Sequence, residues 1–304
     1  MREKEELARD LLDDGGSFSM VLEDVKFWTF THSHAHREKA ESVLSRMYTT
    51  EKWEAPKQFY WFGHPKEMVL CEFFIQSLTQ SHDPQTLRTW DLAQVTQALN
   101  SYLRLRGVVD IVSEGAKTIA EATRGVIQRG WAMQVKPSFG PVSKGDSFFS
   151  EIVVKPLRKF LPRVREAVDI LDAKLFLIAA DRLYRESGDL YASKLYNDLN
   201  AVVRGRGVNS MQMVADKGAE DDLDQFSANV LDRLYYEYLE GFTSDFGMGH
   251  QDLHWVMCYL FLADRVGITP PKVLEDLEAL GRSAGWYTPF PDFVFISERF
   301  RHEV

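Results

Sequence analysis

Apolar residues recur every three or four positions through much of the chain, the spacing that places them on one face of a helix. A first stripe predicts a helix from residue 36 to 50, and the polar segment before it supplies residues that can cap its amino terminus. A second stripe follows Pro65, and proline is well tolerated in the first turn of a helix. The two stripes comprise Ala40, Val43, Leu44 and Met47, and Met68, Cys71, Ile75 and Leu78.

The middle of the chain continues this helical pattern almost without interruption. The last helix, at 271–284, has the clearest limits, because Pro270 and Pro271 precede its apolar stripe and Gly285 follows it. One long interruption, at 135–149, is rich in Gly, Pro and Ser and predicts a surface loop. Further helices are predicted around residues 3–13, 90–103, 164–178, 189–204, 221–240 and 250–266.

Three short segments rich in aromatic and β-branched residues predict strands. They lie at about 25–31, 57–63 and 292–298. Strands and helices alternate in the first eighty residues, an order that usually makes neighbouring strands parallel. We therefore expect a predominantly helical α+β fold, in which the helices pack around a small sheet made of the two amino-terminal strands and the carboxyl-terminal strand.

No linker or change in composition divides the chain, which favours a single domain over residues 1–304. A helical insertion or subdomain over residues 88–245 is the alternative. A chain of this length can bury a substantial apolar core, so it needs neither disulfides nor a structural metal for stability.

The net charge, the cysteines and the lack of long apolar segments argue against several functional classes. The net charge of −9 argues against general nucleic-acid binding, which requires clustered Lys and Arg. Cys71 and Cys258 stand far apart, so neither a disulfide framework nor a paired-cysteine metal motif is predicted. The charged amino terminus lacks the apolar segment of a signal peptide, and no run of about 18 apolar residues predicts a membrane helix. We therefore expect an acidic, soluble, cytoplasmic protein that binds an unidentified protein or small molecule and no membrane.

The densest group of candidate site residues is the segment THSHAHR, where His32, His34 and His36 occupy every second position. On an extended segment such residues share one face, and this segment follows the first predicted strand. His64 follows the second predicted strand, so parallel pairing would bring all four imidazoles to one edge of the sheet. Imidazole binds zinc and other transition metals and acts as a general base near neutral pH. A solvated turn whose polar residues cap the next helix is the alternative.

A second group of potential ligands, His250, His254 and Cys258, recurs every four residues in a predicted helix. The arrangement is similar to the zinc-protease motif H-E-x-x-H, but Gln251 stands where that motif needs its catalytic glutamate. The helix is apolar on all sides, which favours histidines that form hydrogen bonds within the core.

Three polar residues, Ser297, Glu298 and Arg299, follow the last predicted strand. If that strand runs in the same direction as the others, these residues lie beside the histidines. Glu298 would then orient an imidazole, and Arg299 would hold an anionic group of a ligand. A helix cap or an ion pair that closes the sheet is the alternative.

Distinctive segments stand at both ends of the chain: HREKAESVLSRMY and FYWFGHP near the amino terminus, and GHQDLHWVMCYLFLADRVGI and the tail near the carboxyl terminus. The tail contributes Gly285, Trp286, Pro289, Phe290, Ser297, Glu298 and Arg299. Together these residues resemble the pattern of a bacterial domain family for which no activity is established. The family implies no catalytic residues, and the histidines of THSHAHR are not part of its pattern.

The sequence favours a cytoplasmic ligand-binding or protein-interaction module, because none of its motifs has complete catalytic spacing. The alternative is an enzyme, with or without a transition metal such as zinc, whose histidine-lined site lies at the carboxyl edge of the sheet. Its candidate catalytic residues are His32, His34 and Glu298, and its candidate ligand-binding residues are His36, His64, Ser297 and Arg299.

Overall fold

The structure is a computed structural model that describes residues 20–21, 24, 27–28, 36–50, 53–108, 111–131, 155–157, 159–160, 163, 249–265 and 267–299. Within these residues the helices are α1 (Arg37–Thr50), α2 (Pro65–Ser81), α3 (Pro84–Arg88), α4 (Leu92–Leu105), α5 (Ser113–Gln128), α6 (Leu253–Arg265) and α7 (Lys272–Gly281). The strands are β1 (Gln58–Phe62), β2 (Tyr287–Pro289) and β3 (Phe293–Ser297), and a 3₁₀ turn spans Gly249–Gln251. The predictions at 3–13, 135–149, 164–178, 189–204 and 221–240 lie outside the described residues, as does most of 88–245.

Local sequence signals start the helices near the predicted positions. His64 caps α2, because its Nδ1 atom accepts a hydrogen bond of 3.0 Å from the Lys66 amide. Asp91 and Gln94 form a capping box at the start of α4, in which each side chain accepts the other residue's amide. None of the described helices combines the length and the apolar character needed to cross a membrane. The helix predictions confirmed to within a few residues are those at 36–50, after Pro65, at 90–103, at 250–266 and at 271–284.

The three strands form a mixed sheet in the order β1-β3-β2. β1 runs parallel to β3, with Gln58 opposite Phe293 and Phe62 opposite Ser297, and β2 runs antiparallel to β3. Every residue of the central strand β3 is buried, as expected for a strand that is covered on both faces. The structure therefore confirms the α+β class with a helical majority, and it confirms the two strands predicted near β1 and β3.

The predicted strand at 25–31 is wrong. Phe27 and Trp28, the described residues of this segment, are helical. Aromatic and β-branched residues suggested a strand, but the half-buried positions Val21, Asp24 and Trp28 follow helical spacing. Trp28 packs on charged side chains of the carboxyl-terminal segment, so tertiary contacts override the local β preference. The parallel neighbour of β1 is β3.

The strand β2 was not predicted. It has three residues and ends at Pro289, and proline lacks the amide that would continue a ladder of hydrogen bonds. A segment this short has too few residues to show an alternating pattern, so only its pairing with β3 identifies it as a strand.

Alternating side chains of the sheet face different groups of helices. Phe62 and Phe295, whose ring centres are 5.2 Å apart, face the large core formed with α2, α4 and α5, which we call the apolar layer. Trp61 faces the opposite side, where its Nε1 atom donates to Glu41 of α1 at 2.7 Å. α1 packs in turn against α7. The sheet is therefore enclosed between two helical groups.

Candidate functional site

The parallel pairing of β1 and β3 brings the residues after both strands to one edge of the sheet, the carboxyl edge (residues 62–64 and 297–299). The Glu298 amide donates to the Phe62 carbonyl at 2.8 Å, so the two segments stay in contact past the last paired residues. From this bond and the spacing of successive Cα atoms, the Cα atoms of His64 and Glu298 lie within about 14 Å of each other. The structure thus brings His64 and the polar tail residues together.

The start of α1 joins the same edge. The His36 amide donates to the Ser283 carbonyl at 2.9 Å, and His36 is exposed. The next residue, Arg37, donates from Nε to Oε1 of Glu298 at 2.8 Å. The end of the segment THSHAHR therefore meets the tail, and its side-chain contact with Glu298 is made by the arginine.

At the start of α2, the side chains of His64 and Glu67 both accept hydrogen bonds from backbone amides. His64 Nδ1 accepts the Lys66 amide, and Glu67 Oε2 accepts the Gly63 amide at 2.9 Å. Burial raises the pKa of the Glu67 carboxyl, although the Gly63 and His64 amides act in the opposite direction. A Cβ atom at Gly115 would overlap with the Glu67 carboxylate, so the glycine makes room for it. Glu67 is a half-buried acid at the sheet edge.

Ser297 is fully buried, and its hydroxyl holds the turn that precedes β2. Its Oγ accepts the Trp286 amide at 2.8 Å, and its backbone bonds with both Gly285 and Trp286. A Cβ atom at Gly285 would collide with Ser297 Oγ and the Glu298 carbonyl, so this close approach requires glycine. Hydrogen bonding and close packing therefore account for Gly285, Trp286 and Ser297 in the tail.

Three arginines from separate parts of the chain, Arg37, Arg282 and Arg299, lie at or beside the carboxyl edge, and we call them the arginine cluster. The guanidinium carbons of Arg299 and Arg282 lie 5.1 and 5.3 Å from the centre of the Trp28 ring. Burial lowers the pKa of Arg299 to about 10, and the charge of Arg282 acts in the same direction. Arg37 forms an ion pair with Glu298, the residue before Arg299, and its guanidinium carbon lies 5.2 Å from the centre of the Trp61 ring.

Two carboxylates form hydrogen bonds with Arg282 of the cluster. Asp24 accepts from both terminal nitrogens of Arg282, at 2.6 and 3.3 Å, and Glu278 accepts from the same guanidinium at 2.9 Å. The side chains of Arg37 and Arg282 are 57% and 21% exposed, whereas Arg299 is buried. The arginine cluster therefore extends from solvent into the interior.

The helix predicted at 250–266 begins at Leu253, which breaks the expected ladder of metal ligands. His250 lies in the 3₁₀ turn before α6 and is buried. That turn begins at Gly249, whose φ of +52° favours glycine. The regular four-residue spacing on one helix face therefore does not include His250.

Among the side chains that the structure describes, no three from His, Cys, Asp and Glu meet in the way that a metal ion requires. His32 and His34, on which the zinc hypothesis depends, lie outside the described residues. The zinc hypothesis therefore stays a prediction, as does a catalytic role for these two histidines.

The sequence pattern pointed to Arg299 but missed Arg37, Arg282 and Trp28. Arg37 ends the histidine segment, whose polar residues suggest only a turn and a helix cap. Arg282 follows a helix, where a basic residue is ordinary because it complements the helix dipole. Glu67 was also missed, although a glutamate three residues after a helix cap is the signature of a capping box. For the arginines, no local signal distinguishes a binding residue from a helix-surface residue.

Comparison with known proteins identified no relative of this chain. No family model matches the chain, and neither a curated protein nor a solved structure is significantly similar to it. The interpretation of the carboxyl edge therefore depends on its own geometry and charge.

Proposed function

We propose that the protein is a ligand-binding module, that its site is the arginine cluster at the carboxyl edge, and that its ligand carries an anionic group. The observation that supports this most directly is that Arg282 and Arg299, from separate segments, share the Trp28 ring. Arg37, from a third segment, pairs with the residue next to Arg299. Guanidinium groups suit carboxylate and phosphate recognition because their donors are planar, fixed in direction and permanently charged.

The position of the cluster supports the same role. Sheets that contain parallel strands commonly bind ligands beyond the carboxyl ends of those strands. Arg37 and Arg282 reach solvent, and buried Arg299 adds a positive charge that water screens poorly. Burial lowers the pKa of Arg299 most, and the charge of Arg282 adds to that effect, so an anion bound at Arg282 would reduce the repulsion between the two arginines.

Asp24 shows how an anionic group fits this site. Its two oxygens face two nitrogens of Arg282, which is the side-by-side geometry that a carboxylate or phosphate ligand would adopt. The Asp24 side chain is 39% exposed, so a ligand can approach the same guanidinium from solvent. We therefore expect the ligand to compete with Asp24 for Arg282.

The enzyme alternative has less support from the described contacts. Ser297 accepts the Trp286 amide, Glu298 pairs with Arg37, and His64 caps α2. Each of these candidate residues therefore contributes to holding the fold. A cytoplasmic location and the lack of general nucleic-acid binding remain predictions from charge and composition.

The test is a comparison of melting temperatures in pyrophosphate, citrate and chloride at matched ionic strength, followed by titration calorimetry. We expect pyrophosphate or citrate to stabilise the protein and Arg282→Met and Arg37→Gln to remove most of that stabilisation. The matched control is Arg129→Met, because Arg129 stacks on Trp131 at 5.1 Å outside the cluster and should leave the response unchanged.

Two results would contradict the proposal. One is a wild-type protein that responds to neither anion beyond the chloride control. The other is an Arg282→Met variant that keeps its circular dichroism spectrum and still responds as the wild type does.

A further inference from the structure

One peptide group at the carboxyl edge takes part in two hydrogen bonds. Its carbonyl, from Phe62, accepts the Glu298 amide at 2.8 Å. Its amide, from Gly63, donates to Oε2 of Glu67 at 2.9 Å. A peptide group is planar and rigid, so a movement at one of these bonds displaces the other. Glu67 is therefore connected to the tail through a single peptide group.

The tail end of this connection carries two residues of the arginine cluster. The Glu298 side chain accepts from Nε of Arg37 at 2.8 Å, and Arg299 is the next residue along the chain. Arg299 lies in turn against the Trp28 ring, which it shares with Arg282. The hydrogen bond of the Glu298 amide therefore fixes the backbone from which the ion pair with Arg37 and the Arg299 side chain both start.

The other end of the connection is confined. A Cβ atom at Gly115, in the first turn of α5, would overlap with the Glu67 carboxylate, so α5 passes directly beside it. A Cβ atom at Gly63 would lie 3.4 Å from Oε2 of the same carboxylate. The half-buried Glu67 side chain therefore has little freedom to turn away from the Gly63 amide.

The charge of Glu67 decides how strongly it holds the peptide. A hydrogen bond to an ionised acceptor is about twice as strong as one between neutral groups, and a peptide that donates to a charge becomes a better acceptor at its carbonyl. The other titratable groups of the segments around it are His64 and Lys66 at the start of α2, Glu114 in the first turn of α5 and Glu298 at the edge. Burial raises the pKa of Glu67, so its charge changes closer to neutral pH than that of an exposed carboxyl.

We infer that Glu67 is a positioning residue for the arginine cluster. In its ionised form it holds the Phe62–Gly63 peptide against the tail, keeps Glu298 in place to pair with Arg37, and so raises the affinity of the cluster for an anion. The inference rests on the proposed function, because it specifies what controls the same site. Direct repulsion acts in the opposite direction, since a negative carboxylate near the site lowers its affinity for an anion. The two effects of the Glu67 charge therefore differ in sign.

The experiment compares pyrophosphate binding to the wild type and to Glu67→Gln by titration calorimetry from about pH 4.5 to about pH 8. Glutamine has the shape of protonated glutamic acid and can still accept the Gly63 amide, so the variant should fold. We expect the ratio of its Kd to that of the wild type to be near one at the acidic end and to reach about fivefold at the upper end. Protonation of pyrophosphate and of His64 affects both proteins equally and cancels from the ratio.

Glu114→Gln is the matched control, because it removes an exposed carboxylate next to Gly115, whereas the described bond to the Gly63 amide is made by Glu67. Its Kd ratio should stay near one or fall below one. A second measurement follows the Glu298 amide by NMR without any ligand. We expect its resonance to shift as Glu67 ionises in the wild type and to lose this shift in Glu67→Gln.

Three results would overturn the inference alone. The wild type binds pyrophosphate but the Kd ratio of Glu67→Gln stays constant or falls as the pH rises, or Glu114→Gln gives the same rise. The third is a Glu298 amide resonance that depends on pH in the same way in the wild type and in Glu67→Gln. A wild type that binds no pyrophosphate at any pH would overturn the proposed function, and the inference with it.

Discussion

The apolar layer and the carboxyl edge are held together by different interactions. The apolar layer buries side chains such as Phe74 and Ile119 almost completely. Even its cysteine is enclosed: burial raises the pKa of the Cys71 thiol, although Thr123 lies within hydrogen-bonding distance. At the carboxyl edge, by contrast, separate segments meet through arginine–carboxylate pairs and through backbone contacts that only glycine allows.

The two regions also differ in how much their interactions contribute to stability. Burial of one large apolar side chain contributes about 1.5–3 kcal/mol, whereas an exposed ion pair contributes about 0–1 kcal/mol. The carboxyl edge therefore gathers many charged groups for a small return in stability. The edge holds more charged groups than its stability requires, which agrees with the binding role proposed for it. The apolar layer provides most of the stability.

The largest effect is expected in the core, from Phe295→Ala. Phe295 is fully buried, and its ring centre lies 5.2 Å from those of Phe62 and Phe290. Removing the ring leaves a cavity, so the free energy of unfolding should fall by about 3–5 kcal/mol in urea titrations. Phe27→Ala, at a ring that is mostly exposed, should change it by less than about 0.5 kcal/mol. A similar loss in both variants would contradict this account of the core.

A smaller but clear effect is expected at the edge from Gly285→Ala. The added Cβ atom would meet the Glu298 carbonyl and Ser297 Oγ, so the turn and the tail must separate. We expect a loss of about 1–3 kcal/mol of unfolding free energy in urea titrations. Gly63→Ala is the matched control, because its Cβ atom would approach the Glu67 carboxylate only to 3.4 Å. Equal stability of the two variants would show that the edge tolerates more space than the structure indicates.

Glu67→Gln is expected to change how the free energy of unfolding depends on pH. Because burial raises the pKa of Glu67 above its ordinary value of 4.5, the folded protein holds this proton more tightly than the unfolded chain does. The protonated Glu67 carboxyl therefore stabilises the folded protein fully below about pH 4.5. This contribution to the free energy of unfolding is lost as the pH rises through the raised pKa. We expect the stability of the wild type relative to Glu67→Gln to fall as the pH increases toward 8.

Urea titrations over that pH range measure the difference between wild type and Glu67→Gln. Glu114→Gln, at an exposed carboxylate, is the matched control and should show a much smaller trend. A wild type that gains stability over Glu67→Gln as the pH rises would mean that the amide hydrogen bonds to Glu67 outweigh its burial.

The smallest effect is expected from Arg37→Gln. Its ion pair with Glu298 is largely exposed, so the loss in unfolding free energy should be about 0–1 kcal/mol and should disappear in high salt. Thermal unfolding in low and high salt measures this. A salt-independent loss above about 2 kcal/mol would contradict the comparison, because the edge would then depend on charge for its stability.

Spacing and turn chemistry predicted most of the described architecture. α1, α2, α4 and α7 follow from apolar stripes and capping residues that lie within a few positions of each other. β1 and β3 follow from short aromatic runs, and the polar residues after them were expected at one edge. The strand prediction is wrong at 25–31, where Trp28 packs on two arginines that are distant in sequence. The strand that ends at Pro289 was not predicted, because its three residues are too few to show an alternating pattern.

The sequence by itself determined where α1, α2, α4, α6 and α7 and two of the strands form, because those choices depend on residues two to four positions apart. Only the tertiary structure decided which charged residues meet. Arg37 and Glu298 are separated by 261 positions, and Arg282 and Asp24 by 258. No local pattern encodes such pairs, because they depend on the parallel pairing of β1 with β3 and on the packing of Trp28 beside the tail. The arginine cluster is therefore a product of the fold.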